Sequence, residues 1–173
     1  MPPINLHAPS PDSEQALRQA ISDRPDDART HAALASFLCA AGRADEALAQ
    51  LDRETVLHPS KIWPLSIKAG IFSSERRAAE ALDIHRQLVA MAPDVPILWA
   101  NFGSDLAAVG DVNEAAAAFR AAVERAPDYG AAWLGLTNLP GVSFDDADIA
   151  AMEKGSALSR DPHQRIQLFF ALG

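Results

Sequence analysis

The chain has 173 residues, 49% apolar and 22% charged, which excludes a disordered polymer and is long enough to bury a core. Lys and Arg number 15 against 23 Asp and Glu, and the net charge of −8 excludes a basic face for nucleic acid and docking on anionic membranes. A single cysteine, Cys39, excludes an internal disulfide and a Cys-rich zinc site. No apolar run approaches the ~20 residues of a membrane helix, and residues 1–7 lack the basic and apolar segments of a signal peptide, so a soluble, cytoplasmic protein is expected.

Residues 1–9 are expected to form a flexible N-terminus. Ser10-Pro11-Asp12 opens a short amphipathic helix over 10–24 with Leu17, Ala20 and Ile21 on one face, and Pro25 stops it. Helix pairs are then predicted near 28–41 and 44–57, 62–74 and 78–91, and 96–109 and 112–125. A fourth pair is predicted near 129–138 and 145–159. Gly42-Arg43 and Gly110-Asp111 mark the turns inside the first and third pairs. The segment 164–172 begins one more helix, and 169–173 repeats the spacing of Trp99 to Gly103. Abundant alanine with only 6% aromatics suits closely packed helices better than sheets.

Pro25, Pro59, Pro93 and Pro127 stand 34 residues apart, and Pro162 follows at 35. Between them the same residue types recur. The stretch 96–129 carries Trp99, Phe102, Gly103, Leu106, Gly110, Ala115, Phe119, Ala122 and Pro127. The stretch 28–61 carries His31, Leu34, Ala35, Leu38, Gly42, Ala47, Leu51, Glu54 and Pro59. The stretch 62–95 carries Leu65, Lys68, Ala69, Phe72, Ala81, His85, Leu88 and Pro93. Period and positions resemble the tetratricopeptide repeat (TPR), with departures at His31, Glu54, Lys68 and His85. The fourth stretch, 130–163, starts well with Trp133 and Leu136, breaks at Pro140-Gly141 and runs one residue longer. The resemblance implies an all-α solenoid of helix–turn–helix units wound as a right-handed superhelix. It would have about four repeats (28–61, 62–95, 96–129, 130–163), an N-terminal capping helix over 10–24 and a truncated helix of a further unit over 164–173.

Physical reasons accompany the pattern. The small residues Ala35, Ala69 and Gly103 let the first helix of a unit, helix A, approach the second, helix B. Ala47, Ala81 and Ala115 do the same from helix B, and bulky residues fill the holes between. By the family's geometry, A-helix positions 2, 5, 9 and 12 line a concave groove. Here these are Arg29, Ala32, Ser36 and Cys39; Trp63, Ser66, Gly70 and Ser73; Ile97, Ala100, Ser104 and Ala107; and Ala131, Leu134 and Asn138. The groove is small, neutral and smooth, which suits an apolar or extended peptide, or a helix laid along it. It does not suit the clamp that some TPR proteins use on chaperone tails, which needs Lys and Asn where this chain has Ala32 and Ser36. A protein or peptide partner is therefore expected, with no nucleic acid and no membrane.

A narrower resemblance covers 133–173. Asn138-Leu139-Pro140, then Phe144 to Ile149, then Arg165-Ile166-Gln167-Leu168-Phe169-Phe170-Ala171-Leu172-Gly173 resemble the end of the TPR region in bacterial TPR-containing sulfotransferases. It implies the N-terminal scaffold of such an enzyme, whose catalytic domain would lie beyond residue 173. No catalytic, cofactor or metal residue is carried over, because no strand followed by a phosphate loop occurs in the sequence.

The remaining chemistry-bearing residues read as structural. His7, His31, His58, His85 and His163 form no helical pair at metal-ligand spacing. His31 and His85 fall at core positions, and His58 stands at a helix C-terminus. Asp145, Asp146 and Asp148 lack the pattern of a calcium loop, and Ser143 or Asp145 is expected to cap a helix there. The last helix carries Ile166, Leu168, Phe169, Phe170 and Leu172 with no helix B to cover them. An apolar surface is expected at that end, open to self-association or to cover by a longer chain.

Overall fold

The computed structural model describes residues 11–159 and 161–172; the expected flexible stretch 1–9, Ser10 and Gly173 lie outside them. Among the described residues all regular structure is helical. The helices are α1 (Pro11–Asp23), α2 (Ala28–Ala40), α3 (Ala44–Leu57), α4 (Trp63–Ser74), α5 (Ala78–Met91), α6 (Pro96–Val109), α7 (Val112–Arg125), α8 (Gly130–Thr137), α9 (Asp146–Leu158) and α10 (Pro162–Leu172). None of them is long and apolar enough to cross a membrane.

Local chemistry sets the ends. Asp27 accepts from the Arg29 amide and starts α2, Asp111 accepts from the Glu114 amide and starts α7, and Pro96 occupies the first turn of α6. Asp145, not Ser143, caps α9: its carboxylate accepts from the Asp148 amide while the Asp148 carboxylate accepts from the Asp145 amide. Three A-type helices end in the same turn. The Arg43 amide donates to Leu38 O (2.8 Å), Arg77 to Phe72 O (2.8 Å) and Asp111 to Leu106 O (2.9 Å). The left-handed residue in these turns is Gly42 (φ 73°) after α2, Gly110 (φ 87°) after α6, and Arg76 (φ 60°) after α4.

The chain forms two compact units, Met1–Ile71 and Phe72–Gly173, and the division falls inside α4. In the first, α1 packs on α2 and α2 on α3, around Leu34, Leu38, Ala47 and Leu51. Alanine at 47 is 1% exposed, as a close helix approach requires. Glu14 ties α1 to the start of α3. It accepts from Arg43 (2.7 and 3.1 Å) and from Arg18, while Glu46 accepts from both arginines. The Arg43 hydrogen bonds, then those of Arg18, pull the Glu14 carboxyl from 4.5 down to about 2. A carboxyl lowered in the folded state stabilises above its unfolded value and loses that contribution as pH falls through its folded value. α1 is therefore expected to loosen between pH 4.5 and about 2. Amide exchange along α1 across that range checks this, and Glu14→Gln should weaken the dependence, leaving the part carried by Glu46, which the Arg43 and Arg18 hydrogen bonds also lower.

In the second unit α5 packs on α6, α6 on α7 and α7 on α8, while α8 also meets α6, α9 and α10. The Phe119 ring of α7 lies between two glycines on different helices. A Cβ built on Gly103 of α6 would stand 3.0 Å from the ring, and one on Gly135 of α8 only 2.5 Å. The repeat spacing points to Gly103 at this contact and gives no sign of Gly135. Lower down, Gly130 and Gly155 let α8 and α9 close onto α10, where Gln164 accepts from the Gly130 amide at 2.6 Å.

The irregular stretch before α9 is held by one arginine. Arg120 of α7 donates to the Asp148 carboxylate and to Ser143 O (3.3 Å), and its guanidinium lies 5.9 and 5.7 Å from the Trp133 and Phe144 ring centres. The ion pair raises Arg120 and lowers Asp148 from their ordinary values. The break at Pro140-Gly141 is thus an ordered bend with its own anchor.

Candidate interaction face

A bond repeated along the chain positions the A-type helices. His31 Nε2 donates to Pro25 O (2.7 Å), Trp99 Nε1 to Pro93 O (2.7 Å) and Trp133 Nε1 to Pro127 O (2.8 Å). In each case a ring N–H six residues after a proline takes that proline's carbonyl, which cannot be satisfied by a continued helix. His31 is therefore a functional stand-in for tryptophan, and the bond fixes its Nε2–H tautomer. Leu65 and Leu168 hold the same place after Pro59 and Pro162 and have no ring N–H to offer.

This spacing corrects the register of α10. The expected match of 169–173 to Trp99 through Gly103 puts Phe169 in the Trp99 place. The structure puts Leu168 there, 0% exposed, with Ala171 one turn on at 9%. Phe169 stands seven residues after Pro162, one beyond the interval that places Trp99 and Trp133. Leu168 is therefore packed and Leu172 half-buried. The exposed apolar residues of this helix are Ile166, Phe169 and Phe170, at 52%, 57% and 72%.

The groove residues named from the sequence divide by exposure. In the first unit Arg29 and Ser36 are exposed, and Ala32, Trp63 and Ser66 are half-buried. Trp63 does not stand free: its ring stacks on His31, with centres 4.4 Å apart and planes inclined at 35°. In the second unit Ser73, Ile97, Ser104 and Asn138 are exposed and Leu134 is half-buried. Ala100 is 4% exposed and belongs to the packing of α6.

Three of the groove serines donate inward. Ser66 Oγ gives its hydrogen to Ile62 O and Ser104 Oγ to Ala100 O, both at 3.0 Å, and Ser73 Oγ to Asp105 Oδ1 at 3.0 Å. Their oxygens keep acceptor capacity toward the outside. Asp105 is itself buried and bonded to His85, whose Nδ1 donates to Oδ2 at 2.6 Å. His85 thus fills an aromatic position while satisfying a buried carboxylate on the next A-type helix. The repeat pattern marks the histidine and not its partner, 20 residues away on another helix.

Charge is distributed unevenly between the two kinds of helix. α8 carries no charged residue, and α2, α4 and α6 carry Arg29, Lys68 and Asp105, of which Lys68 is paired with Asp52 and Asp105 with His85. The B-type helices hold the arginine–carboxylate pairs described above. Within the second unit the exposed residues of the A-type helices, Ser73, Ile97, Ser104 and Asn138, carry no charge.

A family model described as tetratricopeptide repeat matches residues 10–62 and 100–137. No curated protein matches the sequence. Among solved structures, the chain is similar to a thermophilic TPR protein of Thermus thermophilus (17% identity, TM-score 0.67, covering 92% of this chain and 89% of that one). It is similar to MamA of Desulfovibrio magneticus RS-1 (13%, 0.62, 92% and 84%) and to yeast Tom70 (16%, 0.74, 93% and 35%). The chain spans about a third of the length of Tom70. At these identities the likeness is one of fold.

Proposed function

We propose that this chain, which belongs to the tetratricopeptide repeat family, is a non-catalytic cytoplasmic scaffold that holds a partner polypeptide on the A-type helices of its second unit. The observation that carries this reading is the state of the exposed residues of that unit: Ser73, Ile97, Ser104 and Asn138 are neutral, small or apolar, and the Ser73 and Ser104 hydroxyls turn inward as donors. Such a surface recognises apolar side chains by contact and accepts hydrogen bonds from the partner's own N–H groups. Charge contributes little, so binding should hold in salt. The test is a random peptide library selected on the full chain, with affinities read by fluorescence anisotropy. Ile97→Asp and Leu134→Asp are expected to weaken the selected peptides about tenfold or more, whereas Glu124→Gln on α7 leaves them unchanged. Peptides that bind all three variants equally would overturn the reading.

Two finer readings belong to the same proposal. Ile166, Phe169 and Phe170 offer a surface through which two chains associate. Sedimentation over a concentration series should show a dimer that Phe169→Ser with Phe170→Ser abolishes. The bend at Pro140-Gly141 and the Arg165 to Gly173 segment favour the TPR region of a sulfotransferase, which a coding sequence continuing into a strand and phosphate loop would support.

A further inference from the structure

We propose that α4 is a built-in opening segment: a helix that unfolds locally, ahead of its neighbours, and transiently uncovers Leu65, Ala69, Ile71 and Phe72. Three separate observations converge on this helix. The first is at its start. α2, α6 and α8 are each fastened by a ring N–H on the carbonyl of the preceding proline, and α4 has Leu65 at that place. The second is in its middle. Gly70 lies inside the helix, and a Cβ built on it would meet nothing within 4 Å. No packing requires a glycine there, so its only effect on the helix is the entropic one, which weakens it. The third is at its end. Residues 42, 76 and 110 stand 34 apart in the same turn, and all three are left-handed. Glycine adopts that conformation without strain at 42 and 110; Arg76 does so against the clash of its Cβ.

Each effect is modest by itself. All three act on one helix of 12 residues, and the corresponding sites of α6 carry the favourable choice at the start and the end (Trp99 and Gly110). Local stability is not uniform across a fold, and the weakest cooperative segment opens first. The four side chains that opening uncovers are buried at 0–8% exposure in the closed state, so the opened helix presents an apolar surface that the closed molecule hides.

Native-state amide hydrogen exchange on the full chain, read by mass spectrometry, tests this. Peptides within 63–74 are expected to exchange about tenfold or more faster than those within 96–109. Gly70→Ala and Arg76→Gly should each slow exchange in α4 by roughly threefold to tenfold and leave α6 unchanged. Trp99→Phe, which removes a fastener, should speed exchange in α6. Both α4 substitutions are expected to stabilise, so neither endangers folding. The proposal fails if α4 exchanges as slowly as α6, or if both substitutions leave its rate unmoved.

Discussion

Leucine at position 135 is expected to lower the melting temperature by roughly 5 °C or more, through overpacking worth about 1–3 kcal/mol. Even a single Cβ there would stand 2.5 Å from the Phe119 ring, inside any real contact distance, and α8 has little room to retreat because it also meets α6, α9 and α10. Alanine substitutions separate the two glycines that flank the ring. At Gly103 the approach is 3.0 Å, so a shift of a few tenths of an ångström suffices, and the gain in helix propensity, about 1 kcal/mol, offsets it. Gly103→Ala should melt close to wild type while Gly135→Ala melts lower. Gly103→Leu, which no small shift can accommodate, should fall with Gly135→Leu. Thermal unfolding followed by circular dichroism decides this, and a Gly135→Ala variant melting at or above wild type would contradict the described packing.

The complementary change is larger. Phe119→Ala empties the slot between α6 and α8 and should cost about 3–5 kcal/mol in chemical denaturation. The ring is 3% exposed, and both neighbours across it are glycines with no side chain to collapse inward. The same geometry predicts non-additivity. Combining Phe119→Ala with Gly135→Leu should be less harmful than the two single costs added, because the new side chain occupies the volume the ring vacates. Strict additivity would place the two residues out of contact.

That slot shows how far the sequence reads. Phe119 and Gly103 are legible because each sits where every unit places a bulky and a small residue, and the proline spacing fixes the counting. Gly135 falls at no such place, in the stretch where the pattern breaks, so its closeness to the ring is a property of three helices together. Asp105 and Arg120 are hidden for a similar reason: each finds its partner, His85 or Asp148, on another helix at a separation no local motif encodes. Counting along the repeat assigns position 63 to the groove, and its stacking on His31 follows from a histidine standing where other units have tryptophan or leucine. In α10 the counting itself misleads, because an attractive five-residue match competes with the proline spacing. The six-residue interval from Pro162 is the better guide, since a hydrogen bond sets it in three other places.

That interval also says where the chain's modules can be cut. Pro93 O accepts from Trp99 Nε1 at 2.7 Å and from Arg125 Nε at 2.5 Å, and the Arg125 guanidinium lies 4.9 Å from the Trp99 ring centre. The proline thus belongs mechanically to the helix pair that follows it, although by sequence numbering it closes the pair before. Grafting a helix pair into another array with a boundary just after the proline would sever these bonds and leave two donors facing a foreign carbonyl. A boundary just before it transfers the pair with its anchor intact, and that is where shuffled or consensus arrays derived from this chain should be joined.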